Sequence, residues 1–208
     1  MALTNLNGLR PKSDQRMILV GATGTGKTTL ARQLLRPFKS IIVIDSKCTY
    51  GGKEGEPGYT MVHTPRALRG LRASVNLIQY RPDENHQSVF DYDEVYKWCY
   101  RRHDLMLYND EAFLVHHGSF APDWLRACVT CGRELGIGMI TGTQRPRGID
   151  LRLLTEAEIF VSFDLRHRDD RKRMAEMGGD EFIERPPRHA FWAWRAGDQH
   201  PTLARLKL

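Results

Sequence analysis

Short apolar segments alternate along the chain with segments whose apolar positions recur at helical spacing. The apolar segments are rich in β-branched residues and end at glycine or a polar residue, as strands buried on both faces do. They predict strands at 17–20, 41–44, 61–63, 75–80, 105–108, 137–141, 159–163 and 189–194. The intervening patterns predict helices at 28–35, 65–71, 91–102, 123–135, 151–156 and 169–177. Strands that alternate with helices indicate an α/β fold with a mainly parallel central sheet flanked by helices.

Length and composition fit a single domain. The chain has 208 residues, of which 41% are hydrophobic, enough for one domain with its own core. We assign residues 16–196 to this domain, with a basic N-terminal extension at 1–15 and a C-terminal tail at 197–208. No apolar segment has the length of a membrane span, the N-terminus lacks the core of a signal peptide, and four cysteines make no disulfide framework. We therefore expect no transmembrane segment and a protein of the cytoplasm.

Net charge alone does not identify a partner. The chain carries 31 lysines and arginines against 25 acidic residues, a formal charge of +6. Residues 1–40 hold seven basic residues and one acidic residue, whereas residues 41–208 hold 24 of each. The excess is confined to the N-terminal stretch, so any nucleic-acid surface has to come from local basic loops.

A glycine-rich loop joins the first predicted strand to the first predicted helix. It matches the pattern G-x-x-x-x-G-K-[ST] in full, which predicts a loop whose backbone N–H groups surround a polyphosphate. The predicted nucleotide-binding residues are Gly21, Ala22, Thr23, Gly24, Thr25, Gly26, Lys27, Thr28 and Thr29. In such a loop Lys27 neutralises the β- and γ-phosphates and the Thr28 hydroxyl coordinates Mg²⁺. The sequence thus predicts ATP and Mg²⁺ as ligands.

Two acidic residues follow the predicted strand at 105–108. Asn109 ends the apolar run, and Asp110 and Glu111 come next. A phosphate loop needs a second metal-organising carboxylate at the end of a neighbouring buried strand, a role that we assign to Asp110. We assign Glu111 to the polarisation of the attacking water. The alternative is that Glu111 caps the helix that follows.

Two polar residues flank the predicted strand at 137–141. Gln144 follows the strand, and because the carboxyl ends of parallel strands face the ligand crevice, it is within reach of the γ-phosphate or the attacking water. Arg133 precedes the strand at the end of a predicted helix, where a cation has the ordinary role of complementing the helix dipole. Asp45 also ends a predicted strand, where it either assists the metal site or caps the following turn.

Further motifs follow the phosphate loop. They are Arg133-x-x-Gly136-Ile137, Thr143-Gln144-Arg145-Pro146, the pair Phe163 and Asp170, and Gly178-Gly179-x-Glu181. With the phosphate loop, they resemble the FtsK–HerA superfamily of ATPases that pump DNA, and the resemblance extends to about Trp194. Because the chain has one short domain without added DNA-reading or membrane parts, it is most similar to the small ATPases that package viral genomes.

The resemblance implies a RecA-like P-loop NTPase domain that hydrolyses ATP to pump double-stranded DNA into a procapsid. It implies a homo-oligomeric ring of five or six subunits, with a monomer as the alternative for the isolated protein. It also implies a viral portal or capsid vertex as docking partner. The expected location is the cytoplasm of the infected host and, transiently, the packaging vertex of the virion. In the family, the arginine that matches Arg133 reaches the γ-phosphate of the neighbouring subunit; Arg145 is the alternative finger.

Two other functions are compatible with the sequence. The first is a cellular or plasmid DNA pump of the same superfamily. The second, from a different class, is a small-molecule P-loop kinase, which needs a lid and an acceptor pocket.

A DNA pump grips the phosphate backbone through basic loops. The predicted DNA-binding residues are Lys53, Arg101, Arg102 and Arg147. Their alternative is an ordinary role in solvated surface turns.

Overall fold

A nine-stranded sheet forms the centre of the molecule. The structure is a computed structural model that describes residues 8–116 and 121–206. In chain order the strands are β1 Arg16–Val20, β2 Ile41–Ile44, β3 Thr60–Val62, β4 Leu77–Tyr80, β5 Leu105–Asn109, β6 Ile137–Thr143, β7 Ile159–Ser162, β8 Ala190–Arg195 and β9 Thr202–Arg205. The α-helices are α1 Lys27–Leu35, α2 Pro65–Arg69, α3 Val89–Arg102, α4 Ala112–Val115, α5 Asp123–Cys131, α6 Leu151–Thr155 and α7 Arg168–Gly178.

The sheet is parallel except at one side. Its order is β3-β4-β2-β5-β6-β1-β7-β8-β9, and only the pairs β7–β8 and β8–β9 are antiparallel among these strands. β1 lies between β6 and β7, so that Ile18 is level with Thr141 on one side and Phe160 on the other. The predicted α/β class with a mainly parallel sheet is confirmed.

Both faces of the sheet are covered, which explains the continuous apolar runs. Every residue of β1 is buried, and alternate side chains enter two separate hydrophobic clusters. Ile18 and Val20 belong to the cluster that includes side chains of α3, α5, α6 and α7. Met17 and Leu19 belong to the cluster beneath α1, with Leu30 of that helix. A strand with helices on both sides has no solvent-facing positions and shows no alternation.

The division of the chain into an extension, a domain and a tail differs from the structure at both ends. β9, inside the segment assigned to the tail, pairs with β8, and Leu206 beyond it is buried. Leu9, in the segment assigned to the extension, is also buried. β9 follows Pro201 and has only Leu203 and Ala204 as apolar residues, so its hydrophobic pattern is too weak to predict an edge strand. Residues 1–7 and 207–208 of those two segments lie outside the described residues.

One predicted helix is shorter than expected. The α-helical conformation that was predicted to run to residue 135 ends at Cys131 and continues as a 3₁₀ turn over Gly132–Leu135. Gly136 then adopts φ +64°, a left-handed conformation that ends a helix and turns the chain into β6.

Over the described ranges 8–116 and 121–206, no helix combines the length and the apolar character needed to cross a membrane.

Candidate functional site

The phosphate loop connects β1 to α1 and depends on glycine at two tightly packed positions. Gly21 and Gly26 have φ values of 153° and 110°. A Cβ on Gly21 would lie 2.6 Å from the Cβ of Phe163, and one on Gly26 would lie 2.8 Å from a methyl carbon of Leu206. Gly26 also precedes the open N-terminus of α1, where unpaired N–H groups favour an anion. The loop thus has the geometry that the sequence predicts for phosphate binding.

Lys27 is buried against the loop. Its Nζ donates hydrogen bonds of 2.6 Å to the carbonyl of Gly21 and 3.1 Å to the carbonyl of Ala22. Burial, together with the nearby charge of Lys47, lowers the pKa of Lys27 from 10.5 to about 8. An anion in the cleft would favour the charged form of Lys27, because it would offset both effects.

Thr28 and Asp110 meet beside Lys27. The Thr28 hydroxyl donates to Oδ1 of Asp110 over 3.1 Å, and the Tyr108 hydroxyl donates to the same oxygen over 2.7 Å. Burial raises the pKa of Asp110, and hydrogen bonds from Tyr108 and Thr28 oppose that rise. A hydroxyl and a carboxylate are the oxygen ligands that Mg²⁺ accepts, with phosphate oxygens completing its shell. Residues 8–116 and 121–206 contain no cluster of three or more His, Cys, Asp or Glu for a metal, so the fit rests on this pair.

Glu111 is held by donors on both of its carboxylate oxygens. Oε1 accepts the main-chain N–H of Gln144 over 3.0 Å, and Oε2 accepts the side-chain amide of Gln144 over 3.0 Å. Gln144 in turn accepts a 3.0 Å hydrogen bond from the hydroxyl of Thr23. Although Glu111 precedes α4, its side chain makes no capping hydrogen bond to that helix. Glu111 thus stands at the N-cap position of α4 without a side-chain capping bond, and its carboxylate is connected instead to the phosphate loop through Gln144.

Gly142, in β6, allows a close approach between β6 and the end of β5, the two strands that lead to Gln144 and Glu111. A Cβ on Gly142 would lie 2.7 Å from the carbonyl oxygen of Asp110 and 2.9 Å from that of Asn109. Asn109 itself is a buried strand residue whose Oδ1 accepts a 2.8 Å hydrogen bond from the Tyr96 hydroxyl. The polar residue that ends the apolar run is thus held inside the core through its side-chain oxygen, while its buried Nδ2 has no hydrogen-bond partner among the described residues, and β5 includes it.

Lys47 is a further residue of the site, and no motif in the sequence indicates it. Its Nζ lies 2.5 Å from Oε2 of Glu111. Lys47 follows β2, and β2 is the neighbour of β5 in the sheet. The sequence signal for Lys47 is weak: a lysine that follows a buried strand and Asp45. The strand order that brings Lys47 to Glu111 cannot be deduced from the spacing of residues along the chain.

Asp45 caps a turn and does not belong to the metal site. Its Oδ1 accepts the main-chain N–H groups of Thr49 and Tyr50 at 2.9 and 3.1 Å. Its Oδ2 accepts Nε2 of Gln79 at 2.9 Å and Nε of Arg81 at 2.8 Å. The fully buried carboxylate thus has four donors, and they anchor the segment after β2 that carries Lys47.

Two connected spaces lie over the phosphate loop. A cleft of about 260 Å³ is lined by Lys27, Thr28, Lys47 and Asp110. A larger cavity of about 450 Å³ lies beside Thr23–Thr25 and is lined on its other side by Arg185, Pro186, Pro187 and His189. His189 borders both spaces. The pair offers a cleft beside the phosphate loop for phosphates and a neighbouring space of a size that suits a nucleoside.

The two candidate arginine fingers lie at opposite ends of the parallel strands. We call the carboxyl ends of these strands, where the phosphate loop lies, the phosphate edge of the sheet, and their amino ends the opposite edge. Arg133 is in the 3₁₀ turn before β6 and forms an ion pair with Glu158, which precedes β7. It is therefore remote from the phosphate loop of its own chain. Arg145 follows β6 at the phosphate edge and pairs with Asp170 at 3.2 Å. Neither contact tests a role in a neighbouring subunit, which stays a prediction.

The four predicted DNA-binding residues are not brought together. Lys53 and Arg147 are in loops at the phosphate edge, after β2 and β6. Arg101 and Arg102 end α3 at the opposite edge, just before β5. Arg102 donates to the carbonyls of Ala73 and Val75 and to Oδ1 of Asn76, and it lies over the ring of Trp98. These contacts hold the end of α3 in place. The role of the four residues in DNA binding stays a prediction.

Comparisons with known proteins give a consistent fold. No family model matches the chain. Among curated proteins, the ESX secretion system protein EccC of Geobacillus thermodenitrificans is 28% identical over a match that covers 82% of this chain. The chain spans 13% of the length of that protein.

Solved structures are similar over nearly the whole chain. The genome packaging NTPase B204 of Sulfolobus turreted icosahedral virus 2, in complex with ATP-gammaS, has a TM-score of 0.77 and 16% identity, with 95% of this chain and all of that chain covered. The DNA-packaging ATPase B204 of Sulfolobus turreted icosahedral virus has a TM-score of 0.70 and 17% identity, with 94% and 98% covered. EssC ATPases 2 and 3 of G. thermodenitrificans have a TM-score of 0.56 and 16% identity, with 94% and 40% covered. The chain therefore shares the fold of the B204 packaging NTPases and of the EssC ATPase domains.

Proposed function

We propose that the chain is an ATPase that moves double-stranded DNA, and that its task is to package a viral genome into a procapsid. The observation that carries the proposal is the hydrogen-bonded connection from Thr23 of the phosphate loop through Gln144 to Glu111. It joins a phosphate-binding loop to a carboxylate and an amide that are suited to activating and orienting water. The similarity in fold to packaging ATPases supports the DNA-moving part of the proposal.

ATP binding follows from the two spaces over the loop. The phosphates lie in the cleft, where the N–H groups of the loop, the N-terminus of α1 and Lys27 neutralise their charge. Thr28 and Asp110 would hold Mg²⁺, which would supply further neutralisation of the phosphate charge. The nucleoside occupies the neighbouring cavity between Thr23–Thr25 and the segment that contains Pro186 and Pro187.

Hydrolysis uses Glu111 and Gln144. Glu111 accepts a proton from the water whose oxygen attacks the γ-phosphorus, and the bond from that phosphorus to the β–γ bridging oxygen breaks to give ADP and phosphate. Gln144 orients Glu111 through its two hydrogen bonds. Because Gln144 leads directly into the loop with Arg145 and Arg147, a change at the γ-phosphate reaches a basic loop at the same edge of the sheet.

The working unit is a ring of five or six subunits. Arg133 of one subunit stabilises the γ-phosphate charge in the site of the next, a contribution of about 10³–10⁵ in rate for an arginine finger. The exposed position of Arg133, with about half of its side chain accessible, and its distance from its own phosphate loop support action in trans. The ring docks on a viral portal or capsid vertex in the cytoplasm of an infected host.

One experiment separates this function from its rivals. ATP hydrolysis is measured with and without double-stranded DNA while light scattering reports the mass of the particle. We expect DNA to stimulate hydrolysis and a species of five or six subunits to carry the activity. A monomer that transfers phosphate to a small acceptor would instead identify a P-loop kinase. Packaging is then distinguished from cellular or plasmid DNA pumping by whether the ring fills procapsids with DNA.

Glu111→Gln is the matched control for this experiment. The amide keeps the shape of the side chain but cannot accept the proton of the attacking water. We expect the variant to bind ATP and lose hydrolysis both with and without DNA. Hydrolysis that persists in this variant would come from a contaminating enzyme or from a base other than Glu111.

A further inference from the structure

Lys47 occupies one oxygen of the proposed base. Oε2 of Glu111 accepts hydrogen bonds from both Lys47 Nζ, at 2.5 Å, and the side-chain amide of Gln144, at 3.0 Å. A carboxylate oxygen has two lone-pair positions, so these two donors use both. Glu111 is 4% exposed and Lys47 is 27% exposed. The ammonium group thus lies between a buried carboxylate and the open cleft, and while it stays there Oε2 has no position for a proton of water.

Lys47 also faces the phosphates. It lines the same cleft as Gly24, Lys27 and Thr28, and its charge contributes to lowering the pKa of Lys27. Two like charges in one cleft repel each other until an anion lies between them. A γ-phosphate carries more negative charge than a carboxylate, and a lysine ammonium is a compact charge on a flexible stem that can move between two acceptors.

We propose that Lys47 is a latch that reports the γ-phosphate to the base: it leaves Glu111 for the γ-phosphate when ATP binds, and returns when phosphate has gone. This inference rests on the proposed ATPase function. Gln144 keeps Glu111 in place after Lys47 leaves, because its two hydrogen bonds do not involve the lysine. Oε2 then has a free lone pair for the proton of the attacking water. Lys47 is a positioning residue that acts through Glu111. With ADP alone in the site it keeps Oε2 occupied, and with ATP bound it makes that oxygen available to the attacking water.

If Lys47 moves between Glu111 and the γ-phosphate, the two anions compete for one ammonium group. This competition changes the affinity for a nucleotide that carries a γ-phosphate, which can be measured. Calorimetry gives the affinities of ATPγS and ADP for the wild-type protein, Lys47→Met, Glu111→Gln and the double variant. We expect Lys47→Met to weaken ATPγS about tenfold, and Glu111→Gln to tighten it about tenfold, with ADP changed less than about threefold in each. In the double variant the tightening by Glu111→Gln disappears, because no lysine remains to be released.

Two further variants keep the test decisive. Lys47→Arg retains a cation and should restore most of the preference for ATPγS, so a loss caused only by misfolding of Lys47→Met is recognised. Lys39→Met removes an exposed lysine before β2, at the far edge of the sheet, and should change neither affinity. Equal effects of Lys47→Met on ATPγS and ADP, or tightening by Glu111→Gln that persists without Lys47, would overturn the latch. Failure of the wild-type protein to bind either nucleotide would overturn the proposed ATPase function instead.

Discussion

Gln144 donates two hydrogen bonds to Glu111, one from its main-chain N–H to Oε1 and one from its side-chain amide to Oε2, each 3.0 Å long. The first bond comes from the backbone at the end of β6 and persists when the side chain is changed. The second depends on the amide, which also connects Glu111 to the hydroxyl of Thr23. The main-chain bond therefore holds Glu111 whatever side chain stands at position 144, whereas a single substitution of Gln144 removes the side-chain bond.

Gln144→Ala should lower kcat for ATP by about 10²-fold, the scale on which one positioned donor contributes to catalysis. KM should change by less than about threefold, because Lys27, Thr28 and the loop still bind the phosphates. Steady-state kinetics with and without DNA measures both constants. Gln199→Ala, at an exposed position in the loop after β8, is the control. An unchanged kcat in Gln144→Ala would show that the amide does not act on Glu111 or the water.

Nucleotide binding should change the protonation of Lys27. Its pKa of about 8 in the cleft means that about half of the molecules lack this proton at pH 8 and about a tenth lack it at pH 7. Phosphate oxygens beside the ammonium favour the charged form, so binding takes up protons, about half a proton per site at pH 8. Calorimetry at pH 8 in two buffers of different ionisation enthalpy measures the uptake. No uptake at pH 8, or a release of protons, would contradict the lowered pKa.

Arg133→Ala should leave ATP affinity unchanged and reduce hydrolysis in the ring by about 10³-fold or more. Addition of Lys27→Ala subunits, which have no working phosphate loop but retain Arg133, should restore part of the activity of Arg133→Ala subunits. Arg126→Ala, at a partly exposed arginine of α5 that pairs with Asp123, is the matched control. Normal hydrolysis by Arg133→Ala would exclude the residue as a finger, and the same mixing experiment would then be made with Arg145→Ala.

The buried ion pair between Asp45 and Arg81 should carry a large share of the stability around the site. Asp45→Asn leaves the guanidinium of Arg81, which is 10% exposed, without its charged partner. Breaking such a pair by removing one member costs about 3–5 kcal/mol. Denaturant unfolding measures the loss in the free energy of unfolding. Asp123→Asn, at an exposed and salt-bridged position on α5, should change it by less than about 0.5 kcal/mol.

The parts of the site that depend on local sequence could be predicted, and those that depend on strand order could not. The phosphate loop, Thr28 and Asp110 are fixed by residue types at short spacing next to a strand, so the sequence contains the information. The hydrogen bonds from Gln144 and Lys47 to Glu111 require β5 to lie between β2 and β6. No spacing along the chain encodes that order, and Lys47 was missed for this reason.

The edge strand β9 escaped prediction for a different reason. β9 pairs with β8 on one side only and has two apolar residues among its four. Its partner was predicted because the segment from Ala190 to Arg195 carries Phe191 and two tryptophans, and aromatic residues are typical of strands. The close approach of Gly142 to the backbone of Asn109 and Asp110 could not be predicted either. A glycine in a strand indicates that another group lies close to it, but it does not indicate which group.

The separation of the basic residues between two edges leads to a last prediction. DNA that is moved by the loops next to the nucleotide should contact Lys53 and Arg147, at the phosphate edge, and should not contact Arg101 at the opposite edge. The exposed pairing of Arg147 with Asp169 at 3.0 Å does not prevent this, because such surface pairs contribute little free energy.

The measurement is the dependence of DNA affinity on salt concentration. Each phosphate contact contributes about −0.9 to the slope of log affinity against log salt. Lys53→Ala and Arg147→Ala should therefore each make the slope shallower by about 0.9 and lower the stimulation of ATP hydrolysis by DNA. Arg101→Ala removes the same charge and should leave the slope unchanged, since Arg101 lies over the ring of Trp124 on the far side of the sheet. A shallower slope in Arg101→Ala alone would mean that DNA passes over the edge away from the nucleotide, and movement of the loop after Gln144 could not drive it directly.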